Sequence, residues 1–372
     1  MADRNGGGRT FGGPNKYIQR AGELARLGGH LRALGSSAFL LADGFVLERY
    51  GDVLKQSMEA SGLAFQIERF NRECSQGEID RVTALVQASG AGIVVGIGGG
   101  KTADTAKMAA IATGGRIVIV PTIASTDAPC SAVAVRYTDD GVYQEAHSLG
   151  RNPDIVIVDS AVVVAAPVRF LVSGIGDALS TWFEARSNLD SNSPNLVTPN
   201  LLPPAAGIAV ARACHDVLMR DALAAKLAAE KGALTQAVEN IIEANTLLSG
   251  LGFENCGVSA AHGIHDGLTV LDETHGFFHG EKVAFGVLCL LMLEGRPLAE
   301  IREMTIFCRS LGLPTRLADL NLASATRADI ERVAEAALQQ GSPTWNVAVP
   351  LSVPIVRDAI IATDAFTTSL TN

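Results

Sequence analysis

Up to about residue 165, short apolar runs alternate with amphipathic segments. Ala38-Phe-Leu-Leu-Ala42 runs into Asp43-Gly44 and reads as a buried strand with its exit turn. Ahead of it, residues 19–34 carry Ala21, Leu24, Leu27 and Leu31 at helical spacing. Residues 92–97, 116–120 and 154–159 are continuous β-branched runs, bounded by glycine, proline or aspartate. Strands that are apolar on both faces belong to a sheet covered by helices on both sides. The repeat of strand, helix and strand therefore predicts a parallel α/β sheet.

After Pro167 such runs nearly vanish. Ala/Leu/Glu-rich segments at 176–186, 205–219, 221–229, 234–251 and 301–311 have helical apolar spacing and good helix formers. Residues 188–204, rich in Asn, Ser and Pro, predict a loop. The expected fold is an α/β N-terminal parallel-sheet nucleotide-binding domain over residues 1–166, followed by an all-α C-terminal domain over 167–372. A length of 372 residues with 48% hydrophobic and 19% charged positions fits two such cores. Only the first dozen residues, with Asn5-Gly-Gly-Gly8 and Gly12-Gly13, offer nothing to bury and are expected to stay unstructured.

Charge and cysteines narrow the function. The net charge is −9 with no block of Lys or Arg, so a nucleic-acid surface is not expected. The six cysteines are scattered without a C-x-x-C pair, which reads as reduced, buried thiols and not as a disulfide frame or zinc knuckle. Met1-Ala-Asp-Arg4 leads into glycines and not into an apolar signal core. The longest apolar stretch, 283–293, is too short to span a bilayer. No membrane partner and a cytoplasmic location are therefore expected.

Val94-Val-Gly-Ile-Gly-Gly-Gly-Lys-Thr-Ala-Asp-Thr-Ala-Lys107 passes from an apolar strand through three glycines into a helix. Such a turn admits a phosphate to the backbone, and the first N–H groups of the helix attract its charge. It is not a Walker A loop, because Val95 stands where the first glycine is required. It is not G-x-G-x-x-G either, because Lys101 replaces the third glycine. A plain tight turn and a phosphate cradle both remain open.

Four of the seven histidines, His262, His265, His275 and His279, fall within eighteen residues. Neutral imidazole is the usual nitrogen donor to transition metals. His262 and His265 share one side of a predicted helix over 259–271, and His279 opens the next. Asp177, in Ser173-Gly-Ile-Gly-Asp-Ala-Leu-Ser180, reads either as a helix N-cap or as the carboxylate of a two-histidine, one-carboxylate metal site. Asp127 reads either as a turn cap or as an acceptor for a substrate hydroxyl.

In four motifs, taken in order, the chain resembles the glycerol dehydrogenases of the iron-containing (group III) alcohol dehydrogenase superfamily. They are Gly98-Gly-Gly-Lys-Thr-Ala-Asp-Thr-Ala-Lys107, Pro121-Thr-Ile-Ala-Ser-Thr-Asp-Ala-Pro-Cys-Ser-Ala132, Gly174-Ile-Gly-Asp-Ala-Leu179 with Trp182-Phe-Glu-Ala-Arg186, and His279-Gly-Glu-Lys-Val-Ala-Phe-Gly286. The resemblance implies the dehydroquinate synthase-like fold, NAD as cofactor, and a divalent metal held by Asp177, His262 and His279. The metal is zinc in glycerol dehydrogenases and often iron elsewhere in the superfamily. It implies that Asp127 contacts the diol and that Phe253 walls the same pocket. It places Asp43 at the adenosine end of the cofactor and Gly99, Gly100, Lys101, Thr102 and Asp104 at the pyrophosphate. Thr122, Ser125, Ser131, Val133 and Tyr137 are further implied cofactor contacts. His265 and His275 match no ligand. A homo-oligomer, in many members an octamer, is also implied.

The activity so implied is NAD-dependent oxidation of glycerol, or of a related vicinal diol, with the metal polarising the hydroxyl. Two alternatives keep the same fold: action on a phosphorylated polyol such as glycerol 1-phosphate, or a dehydroquinate-synthase-like lyase. Both would want Lys or Arg near the substrate, and the segment around Thr126-Asp-Ala-Pro129 has none. A nucleotide-binding regulator without catalysis is the alternative from another class, and retention of all three ligand candidates argues against it.

Overall fold

The computed structural model describes residues 7–198 and 200–370. Within them the chain packs into two compact units. The first comprises Gly12–Val168 with Ala228–Gly250. The second comprises the described residues up to Phe11, then Arg169–Leu227 and everything described from Leu251 onward. A single cut at 166/167 passes within two residues of the crossing between Val168 and Arg169. It leaves 228–250, however, on the far side from the unit in which they pack.

In the first unit six strands form one parallel sheet in the order β1-β8-β5-β4-β2-β3. The strands are β1 (Tyr17–Gln19), β2 (Ser37–Ala42), β3 (Ala64–Arg69), β4 (Ile93–Gly98), β5 (Arg116–Pro121) and β8 (Ile155–Val158). An antiparallel hairpin of β6 (Val133–Tyr137) and β7 (Tyr143–Ser148) stands apart from it. Helices α1 (Leu27–Arg32), α2 (Gly44–Ser61), α3 (Gln76–Ser89), α4 (Gly100–Thr113) and α5 (Ser160–Val164) connect the strands. Leu40, Val95, Val118 and Ile157 pack with Leu27, Leu31, Leu54 and Met58 in one core. The alternate residues Phe39, Leu41, Val94, Ile117 and Ile119 are buried too. That is the two-sided burial the continuous apolar runs called for. The helix expected over 19–34 is shorter, because Gln19 ends β1 and helical backbone starts at Leu24.

Segment 228–250 supplies α8 (Gln236–Glu243) and one π-helical turn, Ala244–Leu248, which runs into α9 (Ser249–Cys256). Glu239 ties this segment to the sheet. It accepts hydrogen bonds from Ser160 Oγ at 2.6 Å and from Gln19 Nε2 at 2.6 Å.

The second unit is helical: α6 (Val168–Asp190), α7 (Ala205–Ala229), α10 (Ala260–Leu268), α11 (His279–Leu293), α12 (Leu298–Leu311), α13 (Arg327–Ala337) and α14 (Val353–Ser369). The two segments read as 205–219 and 221–229 are one helix. Residues 1–6 lie outside the described chain, while Arg9 is not loose as expected but bridges to Leu202, whose N–H bonds to the Gly8 carbonyl at 3.1 Å. All six cysteines are buried and free of disulfides. No helix among the described residues is long and apolar enough to cross a membrane.

Candidate active site and metal centre

The second unit brings Asp177, His262 and His279 together, with one donor atom from each inside a 4.8 Å cluster. Close helix packing makes this possible. A Cβ on Gly280 would stand 1.8 Å from the Ser173 carbonyl oxygen, and one on Gly176 would stand 2.3 Å from the Gly280 carbonyl oxygen. Without side chains there, α6 and α11 touch backbone to backbone, one residue away from Asp177 and His279. Gly286 meets the Ala261 carbonyl in the same way and draws α10, with His262, against α11. The expected glycine turn before Asp177 is therefore no helix start. Asp177 lies within α6, nine residues past Val168, and the N-cap reading is overturned.

Asp177 is buried, and its Oδ1 lies 3.1 Å from His279 Nε2 and 3.6 Å from His262 Nε2. Burial alone would raise its pKa, but the two imidazoles outweigh it and hold the carboxyl well below its usual range. Burial opposes a charged His262, yet Glu184 and Asp177 outweigh it and push the imidazole pKa well above normal. His265 goes the other way: burial, reinforced by His279, lowers it to about 3. Its Nε2 meets His279 Nδ1 at 3.0 Å, and its Nδ1 meets Asp266 Oδ1 at 2.9 Å. His275 is exposed, and its Nε2 meets the Thr269 carbonyl at 2.9 Å.

One carboxylate and two imidazole nitrogens suit zinc or iron and leave coordination positions open. The entry of α11 is braced as well. Arg169 pairs with Glu281 at 2.7 Å and lies over the Phe278 ring, while Glu281 accepts the Phe278 N–H at 2.7 Å.

In the first unit the direction in which successive strands are added reverses between β2 and β4, since β2 leads outward to β3 and β4 leads the other way to β5. Ligands of open α/β sheets bind at such a point, beyond the carboxyl ends of the strands. Asp43 follows β2 there, and Gly98–Gly100 run from the end of β4 into the start of α4. A Cβ on Gly98 would lie 2.6 Å from Asp43 Oδ2, so only glycine fits beside the carboxylate. Asp43 caps α2 through Val46 N–H at 2.8 Å, and burial raises its pKa. Gly99 occupies the N-cap of α4 with no side chain to satisfy the helix N–H groups, and a Cβ on Gly100 would meet only Thr126 Oγ1 at 3.9 Å. Helix N–H groups with no side-chain cap over them are what a diphosphate would need here.

The remaining cofactor candidates belong to α4, to the loop after β5 and to β6. Thr122, buried, donates its N–H to the Gly98 carbonyl at 3.1 Å. Thr102 is buried within α4. Lys101 is held by Glu73 at 2.7 Å and lies 4.7 Å from the centre of the Tyr137 ring. Asp104 is buried, with Val135 N–H at 3.0 Å and Lys107 Nζ at 3.4 Å, and so fixes β6 behind the loop. Lys107, also buried, donates to the carbonyls of Ala128 at 2.7 Å and Val133 at 2.9 Å. Ser131 Oγ donates to the Ala128 carbonyl at 3.1 Å, and Ser125 sits in the loop after β5.

Asp127 precedes a short 3₁₀ turn, Ala128–Cys130, and its Oδ2 accepts a hydrogen bond from Ser249 Oγ at 2.8 Å. Phe253 is half-buried on α9 and belongs to the other unit. Two functional candidates escaped the sequence reading. Glu184 lies two helical turns after Asp177 on the same face of α6, a spacing that could have exposed it. Nothing local marks Ser249, which is brought to Asp127 by the segment that rejoins the first unit.

Residues 14–160 match the family model of the iron-containing alcohol dehydrogenases. A glycerol dehydrogenase of Pseudomonas putida is 45% identical over 356 residues, 96% of this chain and 97% of that protein. A glycolaldehyde reductase of Halobacterium salinarum is 41% identical, over 95% of this chain and 97% of its own. The crystal structure of a probable glycerol dehydrogenase from Sinorhizobium meliloti 1021 superposes with a TM-score of 0.92 at 61% identity, covering 98% of this chain and 100% of that one. The chain belongs to the iron-containing alcohol dehydrogenase family and, within it, to the glycerol dehydrogenase group.

Proposed function

We propose that this protein oxidises glycerol, or a related vicinal diol, to the hydroxyketone with NAD⁺ as hydride acceptor and a divalent cation, zinc before iron, at Asp177, His262 and His279. The convergence of those three donors within 4.8 Å carries the reading. When bound, the cation would polarise the substrate hydroxyl and NAD⁺ would serve as the hydride acceptor. The chain supplies the positioning. N–H groups at the start of α4 take the diphosphate, and Asp43 serves the adenosine end. Asp127 accepts a hydrogen bond from a substrate hydroxyl, and Phe253 offers an apolar wall. A homo-oligomer, up to an octamer, and a cytoplasmic location belong to the same proposal.

The test is NADH production from glycerol and a panel of vicinal diols, with glycolaldehyde reduction run in parallel, on chelator-stripped and zinc-restored protein. Turnover should vanish on stripping and return with zinc. Equal rates in both preparations would sink the metal assignment. A second expectation concerns Ser249. Its hydroxyl orients Asp127, so Ser249→Ala should raise the KM for glycerol about tenfold, the worth of one hydrogen bond to a charged group. The KM for NAD⁺ should stay unchanged, and equal KM values for glycerol in wild type and variant would remove Asp127 from the substrate contacts.

A further inference from the structure

An imidazole can bind a cation through Nε2 only when that nitrogen is bare, and in a neutral ring the hydrogen must then sit on Nδ1. Both histidines turn Nε2 toward Asp177, and each meets a different partner at Nδ1. Behind His279 stand His265 and then exposed Asp266, at 3.0 Å and 2.9 Å. Behind His262 stands Glu184, fully buried, whose Oε2 lies 2.7 Å from Nδ1. Its other oxygen, Oε1, accepts the backbone N–H groups of Ser259 at 2.8 Å and His262 at 2.9 Å, at the start of α10. Glu184 and Asp177, both buried on one face of α6, bracket the His262 ring from its two nitrogens. With both imidazoles neutral, as metal binding requires, the two buried carboxylates would leave a double negative charge for a divalent ion to balance.

We infer that Glu184 is a positioning residue that holds His262 in its Nδ1–H form and so fixes Nε2 as the metal-binding atom, while Asp266 through His265 does the same for His279. The inference rests on the proposed metal site. It has an asymmetric consequence. A carboxylate at 184 accepts on both oxygens, and an amide cannot. In Glu184→Gln, an amide oxygen kept on the Ser259 and His262 N–H groups puts the amide NH₂ against Nδ1. The ring must then accept there and carry its hydrogen on Nε2, where a cation should bind. Turning the amide round sets donor against donor at the start of α10. Asp266→Asn is spared this conflict, because its amide oxygen can still accept from His265 Nδ1–H.

Zinc affinity measured by chelator competition, with cobalt(II) absorption of the loaded protein and melting by circular dichroism, tests the inference. Glu184→Gln should melt as a folded protein, bind zinc about 10–100-fold more weakly and show an altered cobalt spectrum. Asp266→Asn should lose much less affinity. Wild-type affinity in Glu184→Gln, or equal losses in the two variants, overturns the inference while leaving the metal site standing. A wild-type protein that binds no divalent metal overturns the site itself. Should Glu184→Gln fail to fold, ¹⁵N-histidine spectra of zinc-loaded wild type decide. They must show hydrogen on Nδ1 of both zinc-binding rings, and a zinc-bound Nδ1 overturns the inference.

Discussion

Replacement of His262 by alanine is expected to abolish metal-dependent turnover, by at least about three orders of magnitude, while the protein still folds. His262 and His279 are the two nitrogen donors that face Asp177, at 3.6 Å and 3.1 Å. Removing one leaves a carboxylate and a single imidazole, too few to retain zinc against buffer and water. The vacated space also strands Glu184 Oε2, which loses its ring partner. A buried carboxylate deprived of a partner is costly, about 3–5 kcal/mol in the severe case. Here Oε1 keeps its two backbone donors, and the ring it replaces was partly exposed, so water can enter. Melting should therefore fall by several degrees without loss of the cooperative transition. Zinc content by elemental analysis and NADH production from glycerol check the prediction together. A His262→Ala protein that turns glycerol over at the wild-type rate in chelator would show that the cluster is not the catalytic centre.

The sequence made the buried half of the fold legible and the edges illegible. β2, β4, β5 and β8 are apolar on both faces and announce themselves as continuous runs. β3 is an edge strand whose residues are half-buried or exposed, with Gln66 and Glu68 among them, and carries no such run. β1 has three residues, too few for any periodicity. The return of 228–250 to the first unit is invisible locally, because its contacts, Glu239 with Gln19 and Ser160, span 220 and 79 residues. Helical propensity says only that this stretch is helical.

The site shows the same division. His262 and His279 stood out by clustering, Asp127 by its place in a motif, and Asp43 only through the family resemblance. Asp177 is a candidate whose local structure was misread. Gly174 and Gly176 look like the entry of a helix, since glycine is a poor helix former. At 176 the glycine is instead present because another backbone passes there. A residue required by a neighbouring chain segment leaves no periodic trace along its own. Glu184 was the exception within reach, seven positions after Asp177 on one helical face.

The contact at Gly280 yields the largest stability effect expected from a single added methyl group. Cβ at this position would lie 1.8 Å from the Ser173 carbonyl oxygen and 2.8 Å from the Asp177 amide nitrogen. Both are backbone atoms of α6, so no side-chain rotation relieves the overlap, and the two helices must separate. Overpacking of this kind costs about 1–3 kcal/mol or more. Separation also pulls His279 from Asp177, which stand 3.1 Å apart and, in the proposed site, would share one ion. Gly280→Ala should thus lower the melting temperature by about 5–10 °C and lose zinc and turnover together. Gly51→Ala is the counterpart: residue 51 lies inside α2, and nothing stands within 4 Å of its added Cβ. There the same methyl group should raise stability by about 0.5–1 kcal/mol through helix propensity alone. Thermal melts of both variants with and without zinc separate the two effects. Wild-type melting and full zinc content in Gly280→Ala would mean that α6 and α11 do not touch at this point, and the geometric origin assigned to the metal centre would fall with it.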